Sequence, residues 1–482
     1  MKHRANKGRI VIGMCTASVL LLAFCVVAIP VQAQQASTQE QKETSSGLFK
    51  GFIDNAKAGY QFRTSYFYRK SDGDDIGAGA FKQEAMGLGG WLYANTGEIV
   101  NTLSFGGAFN FTIPLYGSDG RAYNYILTDP DQDSVNVLGE LYTKLRYGDH
   151  ALVVGRQTIK NAWYLDDVVR FYNKLDQSMI GPRDVRAMQP IHYEAATVQG
   201  RFFEDTMRYY GGYIWNARQI NDNSFRDIYQ AAYQTTVWPE DRKTGDSDGA
   251  AYVGLQFKPT KNMMFEASYY QLQDMMNMAY VDFDYVFRLA NKNYVRVGVQ
   301  YLYQGGNGAN LITNGRDFNT GYGGVYAEVR LIPWLVPYAM AGLTSDDEEI
   351  RAPFSIGPSY LVQRIGENSK ADEKTWILGT IVDFETMGAK GLQFDINYGQ
   401  RRDRHQWSSK TTAGVKSYTY GETTDWDELA TDLIYIFPGE GFFKNLRVRL
   451  RYAHVWESGA TLAGTKHTDD LRFDVGLHIP FK

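Results

Sequence analysis

Three arginines occupy every second position near the C-terminal end of the chain, at Arg447, Arg449 and Arg451. Alternate side chains of an extended strand point to the same face, so these guanidinium groups would stand about 6–7 Å apart in one row. A guanidinium keeps its charge and offers a fork of donors that fits a carboxylate. Such a row could pass a carboxylate from one arginine to the next without any single site holding it tightly.

The residues between these arginines are apolar, and the last segment of the chain repeats the alternation. Polar Arg472, Asp474 and His478 interleave there with apolar side chains, namely Leu471, Phe473, Val475, Leu477, Ile479 and Phe481. A soluble sandwich would bury its apolar face, whereas a membrane barrel turns that face to lipid and lines a wet lumen with the polar one. The pattern therefore favours a pore wall.

Strand-like segments with a period of two residues recur along the whole chain, from 57–69 to 469–481, and we identify eighteen of them. Short links such as Gly148-Asp149 alternate strictly with long ones such as 345–372 and 403–423. Short turns at one end and long loops at the other are typical of outer-membrane barrels. We predict an all-β, transmembrane antiparallel β-barrel of about eighteen strands, with short periplasmic turns and long extracellular loops.

The N-terminal segment has the composition of a secretory signal. Four bases, Lys2, Arg4, Lys7 and Arg9, precede the apolar run 10–29, and Val31-Gln32-Ala33 fits a cleavage site. We predict a signal peptide over 1–33, a flexible leader over 34–56 and one barrel domain over 57–482. An uncleaved anchor helix over the apolar run is the alternative.

Composition excludes several other classes of function. Both cysteines, Cys15 and Cys25, lie in the signal, so a mature chain would have neither disulfides nor thiolate metal sites. Without the four bases of the signal, 46 Lys and Arg stand against 54 Asp and Glu, a net charge of −8, which does not suggest a nucleic-acid partner. No nucleotide-binding, calcium-binding or metal-binding motif is present, so we expect no cofactor and no metal.

Closure of the barrel would place the first strand beside the last, and this adds two arginines to the row. The six form a predicted arginine ladder: Arg63, Arg69, Arg447, Arg449, Arg451 and Arg472. The alternative is that these arginines only pair with acids on the same side of the barrel, which are Asp395, Glu428, Asp432 and Asp474.

Inward acids are also predicted on the opposite side of the barrel. They form an acidic wall: Glu266, Asp282, Asp284 and Glu328. A basic wall facing an acidic one makes a transverse field, which suits solutes that carry both a carboxylate and a cation.

The longest connection, 158–189, is the third of the long loops and mixes aromatic residues with charges. An apolar loop needs cover, so we predict that it folds inward as a constriction loop; external packing on its neighbours is the alternative. The charges that would select solutes there are Asp166, Asp167, Arg170, Arg183, Asp184 and Arg186.

Short motifs around this loop resemble those of OprD-like outer-membrane porins. Gly155-Arg156-Gln157 is followed, about thirty residues later, by 184–190 (DVRAMQP) and 193–196 (YEAA), and the terminal segments 450–454 and 471–473 are similar as well. The resemblance implies an eighteen-stranded, substrate-specific barrel with an arginine ladder, an inward third loop and uptake of small carboxylates. It assigns the ladder to Arg447, Arg449, Arg451 and Arg472, and places Asp184 and Arg186 at the base of the constriction.

These observations predict passive, partly selective diffusion of small carboxylate-bearing solutes, such as amino acids and organic acids, through the outer membrane. The expected partners are those solutes, outer-membrane lipid with lipopolysaccharide, and the barrel-assembly machinery. A polysaccharide export barrel is the runner-up, and a barrel-embedded hydrolase or a plugged structural barrel are further alternatives. No spacing among His150, His192, His405, His454, His467 and His478 suggests a catalytic triad or a metal pair, so we predict no enzymatic activity. Whether the barrel is single or a homotrimer stays open.

Overall fold

The protein is described here from a computed structural model. It describes residues 47–72, 81–117, 127, 129, 133–159, 189–203, 206–233, 246–352, 354, 361–366, 369–412, 415–441, 443–444, 446–459 and 465–481. The predicted signal peptide over 1–33 lies outside these ranges. The predicted leader over 34–56 ends in an eight-residue helix, α1, at Gly47–Asp54.

Eighteen antiparallel strands form one closed barrel, as predicted, and a two-residue strand, β8, is added at the end of β7. Each strand pairs with the next, β7 pairs directly with β9, and β19 pairs with β1 to close the sheet. The bounds are β1 Lys57–Ser71, β2 Phe81–Asn95, β3 Leu103–Gly117, β4 Val135–Tyr147, β5 His150–Gln157, β6 His192–Phe202, β7 Met207–Arg218, β8 Arg226–Asp227, β9 Ala250–Thr260, β10 Met263–Leu272, β11 Met276–Arg288, β12 Tyr294–Gly306, β13 Asn319–Arg330, β14 Leu335–Thr344, β15 Lys374–Asp383, β16 Leu392–Thr412, β17 Val415–Ile436, β18 Arg447–Gly459 and β19 Lys466–Pro480.

Among the described residues, helical structure is confined to short pieces. A second helix, α2, spans Ile228–Tyr233, and single 3₁₀ turns lie at Ala290–Lys292, Leu311–Thr313 and Phe384–Met387. Within the described ranges, no helix has the length and apolar character needed to cross a membrane.

The two faces of the strands have opposite chemistry. On β12, Val299 and Tyr301 are 52% and 51% exposed on the outside, while Gln300 and Gln304, which point inward, are 1% and 0% exposed. An outward apolar face and an inward polar face are what lipid on one side and a lumen on the other require. The alternation read from the sequence therefore assigns the inward positions correctly.

One predicted loop is a continuation of the sheet. The link 403–423 was expected to be a long connection, but β16 runs on to Thr412 and β17 starts at Val415. The pairing passes through register shifts between Arg401 and Arg404 and between His405 and Trp407. Beyond the membrane neither face of a strand meets lipid, so the extension carries no apolar alternation and the sequence is that of a polar loop.

Gly90 shows how tightly the strands of the barrel approach each other. It has a φ of +147°, and a Cβ at this position would lie 1.8 Å from the carbonyl oxygen of Gln61 on the neighbouring strand. We expect Gly90→Ala to lower the free energy of unfolding in urea by about 1–3 kcal/mol or more, because the backbone must shift. Gly323→Ala is the matched control, since nothing lies within 4 Å of that added methyl group; equal losses in both variants would contradict the explanation.

Candidate functional site: the charged lumen

The strands at the seam of the barrel bring the six ladder arginines together on its inner face. Arg449 and Arg451 on β18 pair across to Asp474 and Arg472 on β19, and β19 pairs with β1. Gly476 has Arg447 on one side of it and Arg63 on the other. Since glycine has no side chain, it leaves room between these two guanidinium groups; a Cβ there would meet only one atom, at 3.9 Å.

Three aspartates lie among these arginines. Arg449 donates to Asp432 with an Nε–Oδ1 distance of 2.8 Å, and Arg451 donates to Asp474. Asp474 also accepts from Ser65 at 2.6 Å and lies 3.8 Å from Arg63. The alternative that the arginines pair with acids therefore describes part of the site. Asp432 and Asp474 are two of the acids that the sequence predicts as their partners.

Asp470 is an acid outside the predicted set of site residues. It is fully buried and binds Arg69 at 2.8 Å, Arg472 at 3.1 Å and Arg364 at 3.2 Å. Its inward position follows from the same alternation that places Arg472 inward, so the strand pattern is sufficient to predict it. Arg364 comes from the connection 345–372, where no periodic pattern marks it.

The ladder and Arg364 together are called the basic wall. Its seven arginines face three paired aspartates, which leaves an excess of four positive charges among these described residues. Arg451 and Arg472 are neighbours in the β18–β19 register, and each keeps one buried donor, Nε of Arg451 and Nη1 of Arg472, without an acceptor in the described part of the chain.

Of the other two acids named beside the ladder, Asp395 accepts a hydrogen bond from Tyr338 at 2.9 Å. Glu428 holds the connection 345–372 instead, accepting from the backbone N–H groups of Ile365 at 2.8 Å and Gly366 at 2.7 Å.

The acidic wall lies about half-way round the barrel, on β10, β11 and β13. Asp284 binds Arg296 at 3.1 Å, and Glu328 is the register partner of the same arginine. Glu266 accepts from Tyr210 at 2.9 Å and stands directly opposite Asp282 in the β10–β11 pair. Among the described residues of this wall, four carboxylates stand with one arginine, so its described side chains are mainly acidic.

The described parts of the connection 345–372 contact the inner face of the barrel near both walls. Its first part is held on β12 and β13, where Gln304 donates to the carbonyl of Arg351 at 2.7 Å and Thr320 to that of Glu348 at 2.6 Å. Its second part reaches β16, where Arg401 donates to Gln363 at 2.7 Å and to the carbonyl of Gly366 at 2.9 Å. We call 345–372 the crossing loop.

The predicted constriction loop 158–189 falls almost entirely outside the described residues, and with it Asp166, Asp167, Arg170, Arg183, Asp184 and Arg186. Its last residue, Gln189, is fully buried and accepts a hydrogen bond from Arg218, which also lies 2.7 Å from Nδ1 of His192. The described end of this loop is therefore fixed to the inner surface of β6 and β7.

The surroundings of Glu349 predict that the crossing loop responds to pH. Although burial raises its pKa, the nearby cations Lys370 and Arg351 hold it at about 2, below the ordinary 4.5. A depressed carboxyl pKa stabilises the fold above the unfolded value, and this stabilisation is lost as pH falls through the folded value. We expect the loop to loosen between about pH 4.5 and 2, seen as a rise in single-channel conductance, and Glu349→Gln to raise conductance already at pH 7 and flatten that profile. Identical profiles for the two proteins would contradict this assignment.

Comparisons with known proteins agree with this architecture. A profile of the outer membrane porins of the OprD family matches residues 50–481. The solved structure of Pseudomonas aeruginosa OpdK with vanillate is similar, with a TM-score of 0.68 and 18% identity, covering 89% of this chain and 100% of that one. A BenF-like porin from Pseudomonas fluorescens Pf-5 has a TM-score of 0.68 and 17% identity, and the match covers 89% of this chain and 100% of that one.

A third structure, Pseudomonas aeruginosa OccK2 (OpdF) in complex with glucuronate, has a TM-score of 0.65 and 15% identity, covering 90% of this chain and 100% of that one. A search of curated protein sequences gave no match. The family profile extends over nearly all of the described barrel, from α1 to the end of β19, and these solved barrels are covered almost in full. The chain therefore belongs to the OprD family of outer membrane porins.

Proposed function

We propose that this porin admits small carboxylate-bearing solutes, organic acids and amino acids among them, by passive diffusion along the basic wall. The observation that carries the proposal is the composition of that wall, where seven arginines and three aspartates lie on one part of the inner face among the described residues. An arginine that already shares an aspartate holds a passing carboxylate less tightly than a free one would, and conduction needs sites that release their solute.

The acidic wall supports the inclusion of amino acids. An excess of negative charge on β10, β11 and β13 faces the excess of positive charge near the seam, so a solute with a carboxylate and an ammonium group gains at both of its ends. Vanillate and glucuronate, which accompany two of the similar porins in their solved structures, are themselves carboxylates.

Glucose, glucuronate and glucosamine test this proposal because they have nearly the same size and differ in charge. We expect proteoliposomes containing the purified barrel to take up glucuronate faster than glucose, and glucose faster than glucosamine. Arg402→Gln is the control for loss of an arginine outside the lumen, because Arg402 pairs with Asp427 at 2.6 Å on the outer surface of β16. It should leave the order of uptake of the three sugars unchanged. Equal uptake of all three sugars would contradict the proposal and indicate an unselective pore. No uptake of any of them would favour an export barrel or a plugged barrel.

A further inference from the structure

Two histidines, thirteen residues apart in the sequence, meet on the outer surface of the barrel. His454 on β18 and His467 on β19 occupy outward positions, since their neighbours Ala453, Val455 and Thr468 are buried inward. In the register His454 faces Asp469, and His467 faces Trp456, which makes the two histidines diagonal neighbours. They lie at the end of the barrel that carries the crossing loop, and both are half-buried and reachable from outside.

Hydrogen bonds fix the tautomer of His454. Its Nδ1 lies 2.8 Å from Oδ1 of Asp469, and a carboxylate only accepts, so Nδ1 carries a proton, and in the neutral ring Nε2 keeps its lone pair. The same Oδ1 accepts from Tyr452 at 2.7 Å, and Trp456 packs edge-on against the His454 ring with centroids 4.3 Å apart. The Nε2 atom of His454 is therefore held in one orientation.

That lone pair points to the second histidine. Nε2 of His454 lies 3.4 Å from Nδ1 of His467, with ring centroids 5.5 Å apart. Two imidazole nitrogens on one tetrahedral zinc ion, each at about 2.0–2.1 Å, are about 3.3–3.4 Å from each other. The separation seen here already fits two ligands of a shared ion, and His467 needs only to move its proton from Nδ1 to Nε2.

The arrangement around His454 is also that of a metal ligand. A histidine that binds zinc commonly donates its other ring N–H to a carboxylate, which orients the ring and makes the ligating nitrogen more basic. Asp469 stands in this position. Within the described ranges, no group of three or more His, Cys, Asp or Glu side chains is arranged to hold a metal ion, so a site here would have two protein ligands.

We propose that His454 and His467 form an external binding site for one divalent ion of the zinc class, which includes Ni²⁺ and Cu²⁺. Imidazole nitrogens favour these ions over Mg²⁺ and Ca²⁺, which prefer oxygen. Asp469 positions His454, and water fills the coordination positions that face outward. The site lies outside the lumen and does not depend on the solute path.

The test is zinc binding to the purified barrel, prepared without a polyhistidine tag, by isothermal titration in the presence of excess Mg²⁺. We expect one Zn²⁺ per chain, with binding abolished in His454→Ala and in His467→Ala. Asp469→Asn should weaken the affinity about 10- to 100-fold, as loss of a partner behind a ligand does. His150→Ala is the matched control, because His150 lies at the other rim, where its Nδ1 contacts the Tyr209 hydroxyl at 3.0 Å rather than a second histidine.

Heat-modifiable mobility in gel electrophoresis shows that each variant is a folded barrel before its titration is interpreted. The proposal is overturned if the wild-type barrel binds no Zn²⁺. It is also overturned if binding survives in both histidine variants, or if His150→Ala abolishes it equally.

Discussion

Benzoate is expected to bind about tenfold to a hundredfold more weakly in the Arg451→Ala channel than in the wild type. A hydrogen bond to a charged group contributes about 1.5–3 kcal/mol, which corresponds to that change in affinity. The variant also leaves Asp474 with Ser65 at 2.6 Å and Arg63 at 3.8 Å, so a less neutralised carboxylate would face the approaching anion. The measurement is the benzoate concentration that halves the chloride current of single channels in a planar bilayer.

Asp474→Asn should change the benzoate affinity in the opposite direction. It keeps the shape of the side chain and releases Arg451 and Arg63 from the charge they share, so benzoate should bind more tightly and leave more slowly. A purely structural pairing of arginines with aspartates predicts instead that both variants disturb the channel in the same direction. Arg402→Ala, on the outer surface, should leave the benzoate affinity unchanged; weakening in this control as well would mean that the effect does not come from the basic wall.

The sequence predicts the barrel well because two solvents impose opposite demands on alternate residues. On β12, and on β18 as far as Tyr452, every second residue is apolar and faces outward, and this chemical contrast can be read directly from the chain. Closure follows from the number of strands, so the approach of Arg63 to Arg447 could be expected before the structure was known. Where lipid ends, the contrast ends too, and the outer halves of β16 and β17 therefore look like a loop.

The site is less predictable because its contacts combine strand register with a loop. The bond from Arg451 to Asp474 depends on which residues of β18 and β19 are neighbours, and alternation alone does not determine this. Arg364 approaches Asp470 only because the crossing loop enters the lumen. A loop sequence without periodicity does not predict where the loop runs. His454 and His467 are thirteen residues apart and become neighbours only through the same register.

Loss of Arg401 is expected to release the crossing loop from the wall. Arg401 is fully buried and donates to Gln363 and to the carbonyl of Gly366, while Glu373 and Glu428 lie 3.4 and 3.7 Å from it. Removing one partner of a buried ion pair costs about 3–5 kcal/mol because the other charge stays buried without compensation. Arg401→Ala can relieve this cost by letting the segment 361–366 leave the lumen and admit water to both carboxylates.

Two measurements report that release. Trypsin should cut the crossing loop at Arg364 at least about a hundredfold faster, because cleavage follows the population of the open form. Single-channel conductance should rise, since less of the lumen is filled.

Arg402→Ala is the matched control one residue away, because the Arg402 guanidinium pairs with Asp427 at 2.6 Å on the outer face of the barrel. Glu428→Gln keeps the size of the side chain and weakens the same anchor, so it preserves the test should Arg401→Ala fail to fold. A folded Arg401→Ala barrel with unchanged cleavage and conductance would show that other contacts hold the loop in place.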